Sequence, residues 1–137
     1  MTELIAVVAV VAILAAIAVP NYRRTIERNY WRQAQDLLLT IYYGEQAYYS
    51  ISSPSKYRGP LSETSSMSEW RLIYMDNPNL VGAIPISYTV TTSVGDSKFT
   101  AQAKRLGGDC DTSTLKIDEA RTFTPNPTTT LCWCGSC

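Results

Sequence analysis

LIAVVAVVAILAAIAV, residues 4–19, runs for sixteen positions without a charged or polar side chain. Glu3 stands directly before it, and Pro20-Asn21-Tyr22-Arg23-Arg24 directly after it. Apolar side chains fall on every face of such a helix, unlike the one-sided stripe of a core helix in a globular domain. A bilayer span takes about 20 apolar residues, so this run is short but workable if the helix continues amphipathically. Glu3 is the anomaly. A charge at the middle of a bilayer costs roughly 2.5–3.5 kcal/mol, which leaves Glu3 needing a partner or a task.

Simple export or anchoring does not account for the pattern. A cleaved secretory signal requires a basic leader, and no Lys or Arg precedes Leu4 in this sequence. An ordinary anchor meets a conflict of charge. Arg23, Arg24, Arg28 and Arg32 all follow the run, which would hold the C-terminal part in the cytoplasm. Yet all four cysteines, Cys110, Cys132, Cys134 and Cys137, lie in the last quarter, and an even number beside a targeting segment fits an oxidising compartment. A basic leader ahead of Met1, removed on export, would reconcile the two.

The 137 residues are 45% hydrophobic, with 12 basic and 12 acidic side chains and no histidine. Without the N-terminal run, about 115 residues remain, enough for one modest core. A balanced charge supplies no basic field for nucleic acid. The missing histidine removes the usual general base and the commonest metal ligand. No catalytic residue, cofactor or metal is expected.

The helix continues past Pro20. Ile26, Tyr30, Ala34, Leu37, Leu38, Ile41, Tyr42 and Tyr48 recur mostly at spacings of three and four, with Arg24, Arg28, Arg32, Gln35, Asp36 and Gln46 between them. This is a helical stripe. Ser52-Ser53-Pro54 ends it. Residues 1 to about 51 thus read as one helix roughly 75 Å long, kinked or locally opened at Pro20.

Glu3, the ILAAIAVP of residues 13–20 and Tyr22 together resemble the N-terminal signature of type IV pilins and type II secretion pseudopilins. The likeness covers about the first 50 residues and is closest up to Tyr22. It implies assembly residues Glu3, Pro20 and Tyr22, with the Glu3 carboxylate neutralising the N-terminal amine of an adjacent subunit in a helical filament. Two departures stand out. The family's acidic residue is usually fifth and here is third, so the N-methylated Phe of the family has no counterpart. Ala12 occupies a position where the family often has a helix-loosening glycine, and alanine is the best helix former.

The rest divides by composition. Residues 1–24 form the hydrophobic membrane or filament-core helix, 25–52 its amphipathic half, 53–69 a connecting loop rich in Ser, Thr, Pro and Gly, and 70–137 a sheet domain. That loop is read as unmodified, and Asn126 followed by Pro127 is not a glycosylation sequon. Strands are expected at Trp70–Met75, Ile86–Val94, Lys98–Leu106 and Thr114–Asp118, with Gly95-Asp96 turning the chain. The sheet is expected to be antiparallel, with its apolar face on the amphipathic helix. The fold class is α+β, a long helix on a small sheet, which is the lollipop of the family it resembles.

The cysteines leave several readings. Two disulfides are the default, in any of three pairings. Cys110 joined to Cys132 or Cys134 would close a loop of more than twenty residues, worth about 3 kcal/mol; such a staple resembles the cysteine-bounded C-terminal region of many pilins. A zinc site of four thiolates is disfavoured by the single-residue spacing of Cys132 and Cys134. Trp133-Cys134-Gly135-Ser136-Cys137 looks like a thioredoxin motif, but no helix follows it in this sequence to activate the thiol. Asp109, Asp111 and Asp118 are read as solvated rather than calcium-binding. Tyr22, Tyr30, Trp31, Tyr42, Tyr43, Tyr48 and Tyr49 are read as packing rather than an electron path.

The resemblance therefore implies a major type IV pilin. By that resemblance it is expected to be a homo-oligomer that sits in the inner membrane before assembly and then forms an extracellular pilus. Adhesion, twitching motility and DNA uptake are the family's functions, and a pilus assembly machinery its partner. The alternatives are a secretion pseudopilin or minor pilin and, in another class, a membrane-anchored periplasmic binding domain.

Overall fold

The computed structural model describes residues 2–81, 84–93, 95–108 and 110–126. Its first element is α1, Thr2–Ile51, a 50-residue helix. Pro20 lies inside α1 without ending it. The expected local opening at that position is absent: the missing N–H removes one bond from a helix of 50 residues, and the turns on either side remain helical.

Burial divides α1 in two. Glu3 through Thr25 is exposed at every position. From there Glu27, Trp31, Ala34, Leu38, Ile41 and Glu45 are buried at steps of four, three, four, three and four. The expected stripe is present, with Ala34, Leu38 and Ile41 at its centre and Leu37, Tyr30, Tyr42 and Tyr48 on its flanks. Two carboxylates also lie in the buried row, where sequence reading had placed none.

A four-stranded antiparallel sheet covers this face in the order β1 (Ile86–Thr92), β2 (Phe99–Arg105), β3 (Thr114–Asp118) and β4 (Phe123–Asn126). Its register sets buried rows across the strands: Tyr88, Ala103 and Leu115 in one, Val90, Ala101 and Ile117 in the next. Alanines fill the β2 positions of both rows, which leaves room for α1 to pack directly on β2 and β3. Fully buried Trp70, Tyr88, Phe99, Leu38 and Ile41 are among the core's largest side chains. The layout is α+β, a long helix carrying a small antiparallel head.

One strand expectation needs correction, and one strand was not expected. Trp70–Met75 is not a strand. A short helix, α2 (Met67–Arg71), occupies that region, and a turn follows it. The cause is local. Ser66 and Glu69 form a reciprocal capping box: the Glu69 N–H donates to Ser66 Oγ at 3.3 Å, and the Ser66 N–H to Glu69 Oε2 at 2.7 Å. Trp70 and Ile73 are buried while Leu72 and Tyr74 are exposed, a spacing of three that matches a helix rather than a strand. The fourth strand is instead β4, which was unassigned in the sequence. It is short, mostly exposed and contains Pro125, which suits an edge rather than a centre.

The outer side of β1 is covered. Leu61 exchanges two backbone hydrogen bonds with Val90, at 2.9 and 2.8 Å. Asn79, in α3 (Pro78–Val81), continues the cover with its side chain: its amide donates to the Tyr88 carbonyl at 3.0 Å and accepts from the Tyr88 N–H at 2.6 Å.

Candidate functional site

The exposed part of α1 is the most unusual surface of the molecule. Leu4 is 72% exposed, and Ile5, Val7, Val8, Val10, Val11, Ile13, Leu14 and Ile17 are similarly bare. Isolated surface aliphatics are ordinary, whereas a contiguous apolar patch of this kind marks an interaction surface or a membrane segment. By length and composition α1 is able to cross a membrane.

The three residues expected to act in assembly lie along this one helix. Glu3 is exposed and takes part in no ion pair among the described residues. Pro20 lies seventeen residues on, about 25 Å along the axis. Tyr22 is exposed, two residues further, and therefore on a different face of α1. A single chain does not gather these groups into a site; they are available to a neighbour or a membrane.

Where α1 meets the head, the chain builds a buried ion pair. Glu27 is the first buried residue of α1. Its Oε2 accepts from Arg105 Nε at 3.0 Å and its Oε1 from Arg105 Nη2 at 2.7 Å. Arg105 Nη1 donates to the carbonyls of Pro85 at 3.0 Å and Leu106 at 2.7 Å. The Tyr30 ring lies 4.9 Å from the guanidinium carbon. Both charges are thus satisfied by planar, charge-assisted contacts. Gly108, at φ +78°, passes so close that a Cβ there would sit 2.9 Å from both Arg105 Nη2 and Glu27 Oε1.

A second buried carboxylate, Glu45, ties α1 to the loop after it. Its Oε2 accepts from the Arg58 N–H at 2.7 Å, and its Oε1 has no partner. Burial raises its pKa to about 7; the Arg58 N–H and the nearby guanidinium pull only partly in the other direction. Neither partner, Arg105 nor Arg58, was marked in advance by the sequence. The available signal was that Glu27 and Glu45 continue the three-and-four row of buried positions.

Tyr30, Tyr42, Tyr48 and Tyr49 of α1 pack against the core, as expected, whereas Tyr22 and Tyr43 are exposed. Tyr49 stacks on Tyr57 at 4.5 Å, Tyr57 meets Phe99 at 4.8 Å, and Tyr42 lies 6.0 Å from Phe99. Asp111 and Asp118 each close a local turn, accepting from the Gly107 N–H at 2.7 Å and the Thr122 N–H at 2.8 Å. Asp109 lies outside the described residues. Among the described residues no three His, Cys, Asp or Glu side chains group as metal ligands. Cys110 is fully buried and disulfide-bonded. Cys132, Cys134 and Cys137 lie outside the described residues, and the pairing with them.

In comparisons with known proteins, no family model, no curated protein and no solved structure matches the chain.

Proposed function

We propose that this chain is a structural subunit of a type IV pilus, polymerising through α1 into an extracellular filament. The observation that carries this reading is the division of α1. Twenty-three successive positions, Glu3 to Thr25, are uncovered, while the next turns are locked to a folded head. Apolar surface on that scale is driven out of water, first by a membrane and then by the helices of other copies. The pilin-like layout and the Glu3, Pro20 and Tyr22 pattern support the same reading. It gives the chain no catalytic step.

Glu3 has a definite role in this scheme. Inside a bundle of apolar helices a carboxylate requires a positive partner, and an adjacent subunit's N-terminal amine supplies one. Inner-membrane storage, a pilus assembly machinery and a C-terminal staple from Cys110 to one of the last three cysteines belong to the same proposal. Adhesion, motility or DNA uptake would be functions of the completed fibre.

The test is Glu3→Ala in the exporting cell. The variant should reach the membrane at the normal level, while sheared fibres seen by negative-stain microscopy fall sharply. Normal fibre yield from Glu3→Ala would sink the assembly role. A chain that stays monomeric after detergent extraction and is indifferent to Glu3 would favour the membrane-anchored binding domain.

A further inference from the structure

The first charges after the apolar run are arginines. Arg23, Arg24, Arg28 and Arg32 are all exposed. Among the described residues, Arg23, Arg28 and Arg32 form no ion pair. Between Glu3 and Asp36 the only carboxylate in the sequence is Glu27, and Arg105 neutralises it from the head. This stretch of α1 is therefore strongly positive in a chain whose net charge is zero. Arginines beside a span favour the cytoplasmic side. Four of them on an exported face work against export and call for a function there.

Depth along α1 separates these charges. Residues 4–19 cover about 24 Å, and the hydrocarbon layer of a bilayer is about 30 Å thick. With Leu4 at one boundary, the other falls about four residues past Val19, at Arg23. The headgroup layer beyond it is about 5–8 Å deep. Arg24 and Arg28 fall within that depth, one turn apart on the same side of α1, whereas Arg32 lies about 14 Å past the boundary. Helical side chains leave the backbone toward the N-terminus, which here is the direction of the layer.

The head begins at the same level. Glu27 is the first residue of α1 that it buries. An open cleft of about 250 Å³ lies at this junction, lined by Arg23, Ile26, Glu27 and Tyr30 of α1 and by Arg105 and Gly108 of the head. Glu27 and Arg105 cancel one another, which leaves Arg23 as the uncompensated charge. Leu106, next to Arg105, is 46% exposed, so apolar surface accompanies the cation. Asp111, in the adjoining turn, is engaged with the Gly107 N–H at 2.7 Å.

We propose that Arg23, Arg24 and Arg28 bind the phosphates of anionic phospholipids, and that this seats the head directly on the membrane before assembly. The inference rests on the inner-membrane storage of the filament-subunit reading and adds the class of lipid. A positive field with its one carboxylate neutralised favours headgroups of net negative charge and offers nothing to the ammonium of a zwitterionic one.

Electron spin resonance of the full-length chain in phosphatidylcholine vesicles tests this. A trace of spin-labelled phosphatidylglycerol or phosphatidylcholine reports relative affinity through its motionally restricted fraction. The anionic label should be favoured, and Arg23→Gln with Arg28→Gln should lower the ratio by about 5-fold or more, the scale of one arginine near a charged surface. Arg32→Gln should leave it nearly unchanged. Should the double variant misfold by circular dichroism, raised ionic strength on the unmodified chain screens the same charges and should lower the ratio likewise. Equal affinity for both labels, or a ratio indifferent to the double variant, would overturn the inference and leave membrane storage intact. Loss of the preference to glycerol phosphate, beyond the effect of sodium chloride at equal ionic strength, would make free phosphate the ligand and overturn the lipid assignment. A chain that alkaline carbonate strips from the vesicles is not inserted, which would overturn the storage reading itself.

Discussion

Glu27 and Arg105, 78 residues apart in sequence, form a two-pronged ion pair with contacts of 3.0 and 2.7 Å in the buried junction between α1 and β2. Removing one member leaves the other charged and desolvated, at a cost of about 3–5 kcal/mol. Glu27→Ala and Arg105→Ala should each lower the urea midpoint accordingly. Apolar replacement of both partners is often neutral, so Glu27→Leu with Arg105→Met should recover most of the loss. A double variant as unstable as the two single losses added together would argue against the pair as the source.

Glu45 makes stability depend on pH. Its folded pKa is raised from 4.5 to about 7, so the folded chain holds this proton more tightly than the unfolded chain. The stabilisation is fully present below pH 4.5 and disappears as pH rises to about 7, a span worth about 3 kcal/mol. Denaturation midpoints measured at pH 5 and pH 8 should show it. Glu45→Gln should flatten the slope across that window and raise stability at pH 8. An unchanged slope in Glu45→Gln would assign the effect to other groups.

Gly44 lets the chain after α2 approach α1. A Cβ at this position would collide with the Ile73 carbonyl oxygen, which is backbone and cannot turn aside. In an exposed helix, Gly→Ala gains about 1 kcal/mol. Here the sign should reverse, with Gly44→Ala destabilising by about 1–3 kcal/mol. Thermal unfolding of that one variant decides between the two outcomes.

Ser66 starts α2 and also holds the Glu69 carboxyl below its ordinary range through its backbone N–H and its hydroxyl. Ser66→Ala should cost about 1 kcal/mol. It should also move the Glu69 titration, followed by carbon NMR, back toward the usual carboxylate value. The alanine keeps the N–H, so the move should be partial, and a Glu69 titration that does not move would show the Ser66 hydroxyl to be unimportant for it.

The fold was legible where periodicity was long. Residues 26–48 repeat at three and four for six turns, and Ile86–Thr92 and Thr114–Asp118 lie between clear turn signals. Misreading came where a few residues decide the structure. Trp70 to Met75 is apolar enough for a strand, but Ser66 and Glu69 had already committed the chain to a helix. Phe123–Asn126 is too short and polar to stand out, and it becomes a strand only because β3 offers it an edge. Glu3, Pro20 and Tyr22 stood out in the sequence because an acidic residue and a proline contrast with aliphatics, and the folded chain leaves them spread along α1 without joining them. The Glu27–Arg105 and Glu45–Arg58 contacts were not legible as pairs because each joins segments that only the folded chain brings together.

The cover over β1 restricts how copies can meet. An open sheet edge accepts any extended peptide, including the same strand of another molecule. Leu61 and Asn79 occupy that position from within, one with its backbone and the other with a side-chain amide imitating one. Crowded heads therefore cannot zip together through β1 into amyloid-like stacks. The head is inert on this flank, so the self-association proposed for α1 meets no competition from this sheet edge.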